Sequence, residues 1–211
     1  MRQAYITITV PAEAEFTEKK SRFIGAICPI ADENQAQLFL AKRRSLHRDA
    51  RHHVYAWLLG DNCQVERFSD DGEPMGTGGR PALAVLKQAG LQNVAVVVSR
   101  YFGGVLLGAG GLTRAYSRGA ALAVGAAERV EQIPAAVYAM QFDYSVLGKV
   151  ESWLADKQLA ATRKIFAEQV CFICTLPWDS RESAARQLAD LSSGAIRLQL
   201  MDEDAWLNRP V

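Results

Sequence analysis

Residues 94–112 read VAVVVSRYFGGVLLGAGGL. The first five form a short, continuous apolar run, which predicts a strand buried on both faces. Beyond the glycines, residues 112–127 place their apolar side chains on one stripe, which predicts a helix. This helix is rich in Gly and Ala, so we expect it to pack very close to the sheet. The order is therefore buried strand, glycine-rich loop, helix.

Elements of the same kinds are predicted on both sides of this unit. Alternating or continuous apolar patterns predict strands at 4–10, 23–30, 54–59 and 64–68. Helical spacing predicts a helix at 34–48 with Asp32 as its N-cap, and a second at 81–89 that begins with Pro81.

The composition changes at Gln132-Ile133-Pro134, which predicts two domains, 1–133 and 134–211. The second domain is predicted as strand, helix, strand, strand, helix, strand, at 136–144, 146–157, 160–166, 169–176, 180–191 and 195–201. This is the βαββαβ order of ferredoxin-like domains. The predicted fold class is α+β.

Composition excludes several protein classes. The 211 residues are 49% hydrophobic and 22% charged with a net charge of +1, as in ordinary globular proteins. Residues 1–133 carry 16 Lys and Arg against 13 Asp and Glu, and the remainder carries 8 against 10. No segment approaches the about 18 apolar residues of a membrane span, and the first residues lack the pattern of a signal peptide. We therefore expect a cytoplasmic protein without membrane contact.

The four cysteines do not predict a disulfide framework. Cys171 and Cys174 form a CxxC pair, but Cys28 and Cys63 have no cysteine nearby to complete a zinc site. Residues 170–176 have the pattern of a buried strand, so we interpret the pair as core packing.

The glycine-rich loop is the strongest candidate for a binding site. A loop between a strand and a helix directs backbone N–H groups toward one point, where the helix dipole also favours an anion. The spacing fits neither a Walker A sequence nor GxGxxG. We predict anion or phosphate binding, with the alternative that the glycines serve only a tight turn and close packing. The predicted residues are Arg100, Gly103, Gly104, Gly108, Gly110, Gly111, Arg114 and Arg118.

A loop with three carboxylates precedes the second helix. Asp70, Asp71 and Glu73 could share a Mg²⁺ ion with a phosphate. The alternative is a solvated turn, or carboxylates that pair with Arg80 or Arg100, and we favour it because Asp and Gly are typical turn residues.

A basic run with all three histidines extends from residue 42 to residue 53. Such a density of cations is typical of contacts to a nucleic-acid backbone, although cations at a helix C-terminus are also stabilised by the dipole. The candidate contacts are Lys42, Arg43, Arg44, Arg48 and Arg51. The candidates for the wall of the cleft at the glycine-rich loop are His52, Asp70, Asp71, Glu73 and Arg80. No Ser/His/Asp or Cys/His nucleophile set is evident, so neither catalytic residues nor a cofactor are predicted.

Four segments carry a family resemblance. They are Lys20 to Ile24 (KSRFI), His52 to Trp57 (HHVYAW), Ser69 to Pro81 (SDDGEPMGTGGRP) and Val98 to Leu112. In this order they resemble the YigZ/IMPACT family, over roughly residues 19–127, and the remainder is similar to the second domain of its bacterial members.

The resemblance implies a first domain with a fold shared by a ribosomal protein, elongation factor G and GHMP kinases, and a ferredoxin-like second domain. It also implies regulation of translation, which the eukaryotic members perform by protein–protein contact. No catalytic residues follow from it.

Three functions stay open at this point. The first is a translation-associated protein, without catalysis, that binds RNA, the ribosome or a translation factor. The second is an enzyme or sensor for a small phosphorylated ligand. The third is a protein-interaction module that uses Trp57, Tyr101 and Phe102.

Overall fold

The structure is a computed structural model that describes residues 2–211. The chain divides into two compact units. The larger one contains residues 5–131 with 210–211, and the smaller one contains 132–209 with 2–4. Both combine a β-sheet with helices, which confirms the predicted α+β class.

The larger unit is built on a mainly antiparallel sheet. Its strands are β1 (Tyr5–Ile8), β2 (Ala12–Glu18), β3 (Ser21–Pro29), β4 (His52–Leu59), β5 (Val65–Ser69) and β6 (Val94–Tyr101). Five of them form one sheet in the order β2-β3-β6-β4-β5. The buried strand predicted from residues 94–98 is thus β6, in the centre of the sheet.

Three helices cover the two faces of this sheet. They are α1 (Glu33–Leu46), α2 (Gly79–Gln88) and α3 (Ala109–Ala126). Helices α2 and α3 pack on one face, over a core that includes Phe23, Val98 and Tyr116. Helix α1 packs on the other face against Trp57 and Ala95.

Helix α3 lies very close to the sheet, as its small residues predict. A Cβ on Gly25 of β3 would overlap the carbonyl oxygen of Gly119 in α3, and a Cβ on Gly119 would lie 2.9 Å from Val98 Cγ1. The two glycines therefore set the distance between α3 and the sheet, and with it the position of the first turn of the helix.

One strand of the larger unit was not predicted, and one helix of that unit begins earlier than predicted. Strand β2 is not among the predicted strands, because the sequence AEAEFTE has no apolar alternation strong enough to mark it. Helix α3 begins at Ala109, three residues before the predicted start, so Gly110 and Gly111 belong to its first turn. The N-cap of α1 is confirmed, because Asp32 Oδ1 accepts a 2.7 Å hydrogen bond from the Gln35 amide.

The smaller unit has the predicted βαββαβ order. Its elements are β7 (Arg129–Phe142), α4 (Leu147–Asp156), β8 (Ala161–Phe166), β9 (Val170–Pro177), α5 (Arg181–Ser192) and β10 (Arg197–Pro210). In their sheet β7, β9 and β8 are neighbours in that order, and β10 also pairs with β7. Phe142, Val150, Phe172 and Leu188 are the centre of its core.

The CxxC pair lies in β9, and its two side chains point to opposite faces because they are three residues apart on a strand. Cys174 is fully buried, and burial raises the pKa of its thiol to about 12. The prediction that this residue packs in the core is confirmed. In the part of the chain that the structure describes, no helix is long and apolar enough to cross a bilayer.

Candidate functional site

Several of the sequence-predicted residues lie near the C-terminal end of β6, in the larger unit. Arg100 lies near the end of this strand, and its side chain is 6% exposed. Arg100 Nη1 donates a 2.7 Å hydrogen bond to Glu73 Oε1, which is also buried. The strand and the acidic loop are thus joined by a buried ion pair, which in proteins is stable only when its remaining hydrogen bonds are satisfied.

Tyr116 of α3 supplies one of those hydrogen bonds. Its hydroxyl donates to the same Glu73 oxygen at 2.7 Å. Burial, followed by the hydrogen bond to Glu73, raises the pKa of Tyr116 far above its ordinary value, so it stays a neutral donor. His52 Nε2 lies 3.8 Å from this carboxylate oxygen. Glu73 therefore links the acidic loop to β4, β6 and α3.

Asp70 caps the start of α2. Its carboxylate accepts hydrogen bonds of 2.8 to 2.9 Å from the amides of Gly76, Gly78 and Gly79. Burial by itself would raise the pKa of Asp70, but the three backbone donors and the charge of Arg80 outweigh it, and the pKa is lowered. The first turn of α2 therefore already holds an anion, which is a side chain of the same chain.

Asp71 has hydrogen-bond partners different from those of Asp70 and Glu73. It accepts from the His53 amide at 2.6 Å and from Arg44 at 2.7 Å, and its carbonyl oxygen receives His52 Nδ1. The three predicted metal ligands thus have separate partners. Among residues 2–211 no group of three or more His, Cys, Asp or Glu side chains could hold a metal ion. These contacts agree with the alternative of a turn whose carboxylates pair within the protein.

The glycine loop is held against the β2–β3 hairpin. A Cβ on Gly103 would overlap the backbone of Lys20, and the Gly103 amide donates to Ser21 Oγ at 3.2 Å. Gly104 and Gly108 have φ values of +84° and +72°, which L side chains rarely adopt. The close approach at Gly103 brings the tip of the hairpin, Lys19-Lys20, next to the start of α3.

The start of α3 is uncapped, in contrast to that of α2. Leu112 N–H donates the first helical bond to the Gly108 carbonyl at 2.9 Å. The amides of 109, 110 and 111 have no acceptor within residues 2–211. These three free donors lie at the helix start for which the sequence predicts anion binding, and helix N-termini attract anions.

A cavity of about 260 Å³ opens beside this first turn, and we name it the α3 cleft. Its wall contains Phe16, Glu18, Lys19, Leu107, Gly111, Arg114, Ala115 and Arg118. Arg118 lies 3.9 Å from Glu18, and its guanidinium is over the ring of Phe16. Arg114 is exposed and has no hydrogen bond or ion pair within residues 2–211.

Arg114 bends back toward the N-terminus of its helix. Its Nη1 atom lies 3.6 Å from the position that a Cβ on Gly110 would occupy. This separation is an ordinary van der Waals distance, so the guanidinium lies beside the first turn of α3 and its free amides. The α3 cleft therefore presents backbone donors and three cationic side chains to the same space.

The structure brings only part of the predicted anion-binding set to this cleft. Gly111, Arg114 and Arg118 lie in its wall, and Gly108 and Gly110 form the helix start beside it. Gly103 and Gly104 shape the loop. The prediction that Arg100 binds an anion is corrected by the structure. Its guanidinium is buried and bonded to Glu73, out of reach of a ligand at the surface. The same applies to Glu73, which is 8% exposed.

The fold leaves most arginines and lysines of the basic run exposed and buries one. Lys42, Arg44, Arg48 and Arg51 are exposed. Arg43 is buried and donates hydrogen bonds to Glu13 and to His47 Nε2. The prediction that Arg43 contacts a nucleic acid is therefore corrected. Arg44 is held by Asp71, and Arg51 lies 5.1 Å over the Phe102 ring.

Three further predicted residues have clear positions. Arg80 is exposed on the first turn of α2. His52 lies beside Glu73 beneath the acidic loop, facing the α2 and α3 side of the sheet. Trp57 is only 2% exposed, so the idea that it takes part in a protein contact is wrong.

Sequence reasoning missed three residues of the site: Lys19, Ser21 and Tyr116. Lys19 and Ser21 belong to the turn of a hairpin whose first strand was not predicted. Tyr116 was assigned to the apolar stripe of α3, and nothing in the stripe indicates that its hydroxyl meets a carboxylate 43 positions earlier in the chain.

Comparisons with known proteins cover nearly the whole chain. Residues 19–124 match the family described as the Impact N-terminal domain, and residues 140–195 match a domain of unknown function (DUF1949). The chain is 36% identical to "IMPACT family member YigZ" of Escherichia coli, over 88% of this chain and 92% of that protein. It is 34% identical to "IMPACT family member YvyE" of Bacillus subtilis, over 92% of this chain and 89% of the relative.

Two further comparisons show how much of the chain is similar to more distant relatives and to a solved structure. "Protein IMPACT" of Mus musculus is 34% identical over 44% of this chain and 30% of its own length. A crystal structure of a hypothetical protein, 33% identical, superposes with a TM-score of 0.63 and covers 97% of this chain and all of its own. The similarity to bacterial relatives spans both units, whereas the similarity to the mouse protein is limited to part of the chain.

Proposed function

The chain belongs to the IMPACT family, and from this premise we propose that it is a regulatory protein of translation that acts by binding and not by catalysis. Its target is RNA, the ribosome or a translation factor, and the contact is made through the α3 cleft. The regulation of translation implied by the family resemblance supports the general role. The cleft supports the choice of an anionic target.

One observation carries this proposal: the first turn of α3 is left open while that of α2 is filled by Asp70. The two helices start on the same side of one sheet, so the difference is not a property of the fold class. A phosphate oxygen at α3 would accept from backbone amides as the Asp70 carboxylate does at α2. Arg114 and Lys19 add the charge that a phosphate requires.

The tip of the β2–β3 hairpin gives independent support. Lys19 and Lys20 have φ values of +44° and +66°, the left-handed region in which Asn and Gly are preferred for two-residue hairpin turns. A residue other than glycine in this region costs on the order of 1 kcal/mol or more, and such strain clusters at functional sites. Two lysines at this position are consistent with a role for their charge beside the cleft.

The remaining exposed cations suit a long polyanion better than a small one. Arg48 and Arg51 are exposed, and the Arg51 amide donates a 3.0 Å hydrogen bond to the carbonyl of Arg100, near the end of β6 that carries the site. An RNA backbone bears a charge at every nucleotide and can contact separate cations together. We therefore favour the RNA of the ribosome over a protein factor as the target.

The test is co-sedimentation with ribosomes, with and without nuclease treatment, at low and at physiological ionic strength. We expect salt-sensitive association that Arg114→Glu abolishes. The matched control is Arg186→Glu, an exposed arginine of α5 in the smaller unit. Absence of any salt-sensitive association, or an equal effect of the two variants, would contradict the proposal. Association that survives nuclease treatment would indicate a protein target.

A second candidate is favoured by the size of the cleft. A cavity of about 260 Å³ can enclose a single phosphorylated group, which makes a sensor or enzyme for a small phosphorylated ligand possible. Thermal unfolding with a panel of nucleotides and phosphorylated metabolites, with and without Mg²⁺, separates this candidate from the first. A rise in the midpoint that Arg114→Glu removes would favour it, because a ligand stabilises the folded state to which it binds.

A further inference from the structure

A second cavity, unrelated to the α3 cleft, lies on the opposite face of the sheet. It has a volume of about 420 Å³ and is formed between α1 and strands β2 and β3. Its wall consists of Pro11, Ala12, Glu13, Ala26, Ile27, Cys28, Pro29, Gln35, Leu38, Phe39, Lys42 and Arg43. We propose that this α1 cavity binds a small amphiphilic anion, namely a straight-chain carboxylate with an apolar tail.

Helix α1 carries two stripes, and the second one is only partly packed on the sheet. Ala36 and Leu40 are buried against the core. Gln35, Leu38, Phe39 and Lys42 follow the i, i+3, i+4, i+7 spacing of a second stripe, and all four line the cavity. Leu38 is 69% exposed at its edge. Phe39 is half-buried against the core, so Leu38 is the apolar side chain of this stripe that is left mostly exposed.

The floor of the cavity is apolar as well. Ala26 and Cys28 are alternate residues of β3 that face α1, and both lie in the cavity wall. Cys28 is half-buried, and burial raises the pKa of its thiol, which agrees with an apolar environment. Apolar walls with a small number of polar groups are typical of sites for small ligands, and the volume lies within their usual range.

The charge of the cavity decides which kind of ligand fits. Lys42 is exposed and has no ion pair or hydrogen bond within residues 2–211. The charge of Arg43 is opposed by Glu13, while its Nε–H is buried without an acceptor. Two cations against one carboxylate leave the wall with an excess positive charge at the Lys42 end. An apolar tail on Ala26, Cys28 and Leu38 would place an anionic head group at Lys42.

Three probes separate the contributions of tail and head group: octanoate, hexanoate and octan-1-ol, measured by isothermal titration calorimetry. Each buried methylene contributes about fourfold in affinity, so hexanoate should bind about fifteenfold more weakly than octanoate. Octan-1-ol has the tail without the charge and should bind more weakly as well. Equal affinity for octanoate and octan-1-ol would overturn the assignment of an anion, and absence of saturable octanoate binding would overturn the site.

Variants then locate the site. Lys42→Glu should abolish octanoate binding, and Lys42→Arg should retain it. The charge-matched control is Lys149→Glu, an exposed lysine in α4 of the smaller unit. Because Lys42 is exposed, these changes should leave the unfolding curve unchanged, so a loss of binding cannot be attributed to a loss of structure. Equal binding by Lys42→Glu and the unmodified chain would overturn the proposal.

Cys28 provides a readout that needs no substitution. Its alkylation by iodoacetamide, followed by peptide mass spectrometry, should slow in the presence of octanoate, while alkylation of Cys63 should not change. Sedimentation measures the competing occupant. A dimer that Leu38→Glu converts to a monomer would show that a second copy covers the cavity, and the proposal of a small ligand would then be wrong.

Discussion

Arg100 Nη1 donates to Glu73 Oε1 at 2.7 Å, and both side chains are buried, at 6% and 4% exposure. This ion pair joins the central strand of the sheet to the acidic loop, across 27 positions of the sequence. Both residues belong to the segments that define the family resemblance, and neither is accessible to a ligand. The most distinctive residues of the sequence thus include some that hold the loops in place and do not themselves bind a partner.

The ion pair should dominate the stability of the larger unit. Glu73→Gln keeps the shape of the side chain but leaves the buried Arg100 charge without a counter-ion. We expect the free energy of unfolding to fall by about 3 to 5 kcal/mol, as measured by urea denaturation. Glu128→Gln, at an exposed position, is the control and should change it by less than about 0.5 kcal/mol. A loss no larger than that of the control would show that the pair contributes nothing.

Two glycines of α3 should respond to alanine in opposite directions. A Cβ on Gly119 would lie 2.9 Å from Val98, so Gly119→Ala should cost about 1 to 3 kcal/mol through overpacking. A Cβ on Gly125 would meet no atom within 4 Å, so Gly125→Ala should stabilise by about 0.5 to 1 kcal/mol. Thermal or urea unfolding of the two variants is the measurement. The same sign for both would contradict the packing described for α3.

Asp70 should contribute to stability in a pH-dependent manner. Asp70→Ala removes the acceptor of three amides at the start of α2, which should cost about 1 to 2 kcal/mol at pH 7. Because the pKa of Asp70 is lowered in the folded state, its contribution is present above the unfolded pKa of about 3.9 and lost as the pH falls through the folded value. The difference between the variant and the unmodified chain should therefore shrink as the pH falls below about 3.9 and vanish below the folded-state pKa. Asp49→Ala serves as the exposed control, and a difference that persists in acid would show that the carboxylate charge is not responsible.

Replacing the two lysines at the hairpin tip should stabilise the fold and weaken binding. Lys19→Asn with Lys20→Gly introduces the residues that a two-residue turn with positive φ prefers, and should stabilise the chain by about 1 to 2 kcal/mol. The same variant loses a cation of the α3 cleft and should weaken salt-dependent association with ribosomes. Unfolding and co-sedimentation are measured on one preparation. A stabilised variant that still associates with ribosomes as the unmodified chain does would show that the strained lysines have no role in binding.

His47 should make the larger unit less stable in mild acid. His47 Nε2 faces Arg43 Nη2 at 2.7 Å and its Nδ1 lies 3.0 Å from the Tyr101 hydroxyl, so the ring accepts from Arg43 only when neutral. Burial and then the charge of Arg43 lower the pKa of His47, although Glu13 and Glu15 oppose this.

A folded-state pKa below the unfolded one gives stability above the unfolded value that is lost as the pH falls through the folded value. The unfolding midpoint should accordingly drop between pH 7 and pH 5, and His47→Gln should reduce this drop. His53, whose pKa burial also lowers, should contribute in the same direction. An unchanged pH profile in His47→Gln would contradict the neutral ring.

Most of the helices and strands could be predicted from the sequence, but the contacts between them could not. Periodicity identified the central strand, the three helices of the larger unit and the βαββαβ order of the smaller one, because each pattern reflects local backbone geometry. Strand β2 was missed because its alternate residues are charged on one side and small or half-buried on the other. Its pairing with β3 is local, through a two-residue turn, but the turn residues Lys19 and Lys20 are not the Asn, Asp or Gly that mark such hairpins in a sequence.

The candidate site was predictable as a location and not as a set of contacts. Arg100 and Arg114 look equivalent in sequence, as two arginines on either side of one glycine loop. The alternation of β6 places Arg100 on the buried face opposite Glu73, whereas the helical register places Arg114 in solvent over Gly110. The distinction requires both the exact start of α3 and the position of the acidic loop, which lies about thirty residues away in the chain.

The Asp70 carboxylate has a practical consequence for crystallography of this protein. It shows, at 2.8 to 2.9 Å from three glycine amides, how an oxyanion is coordinated by a glycine-rich helix start in this particular fold. Electron density for sulfate or phosphate at the start of α3 can be judged against that internal standard, with the same number of amide donors and the same bond lengths. An ion that matches it would occupy a preformed receptor, and an ion that does not would merely be attracted by Arg114.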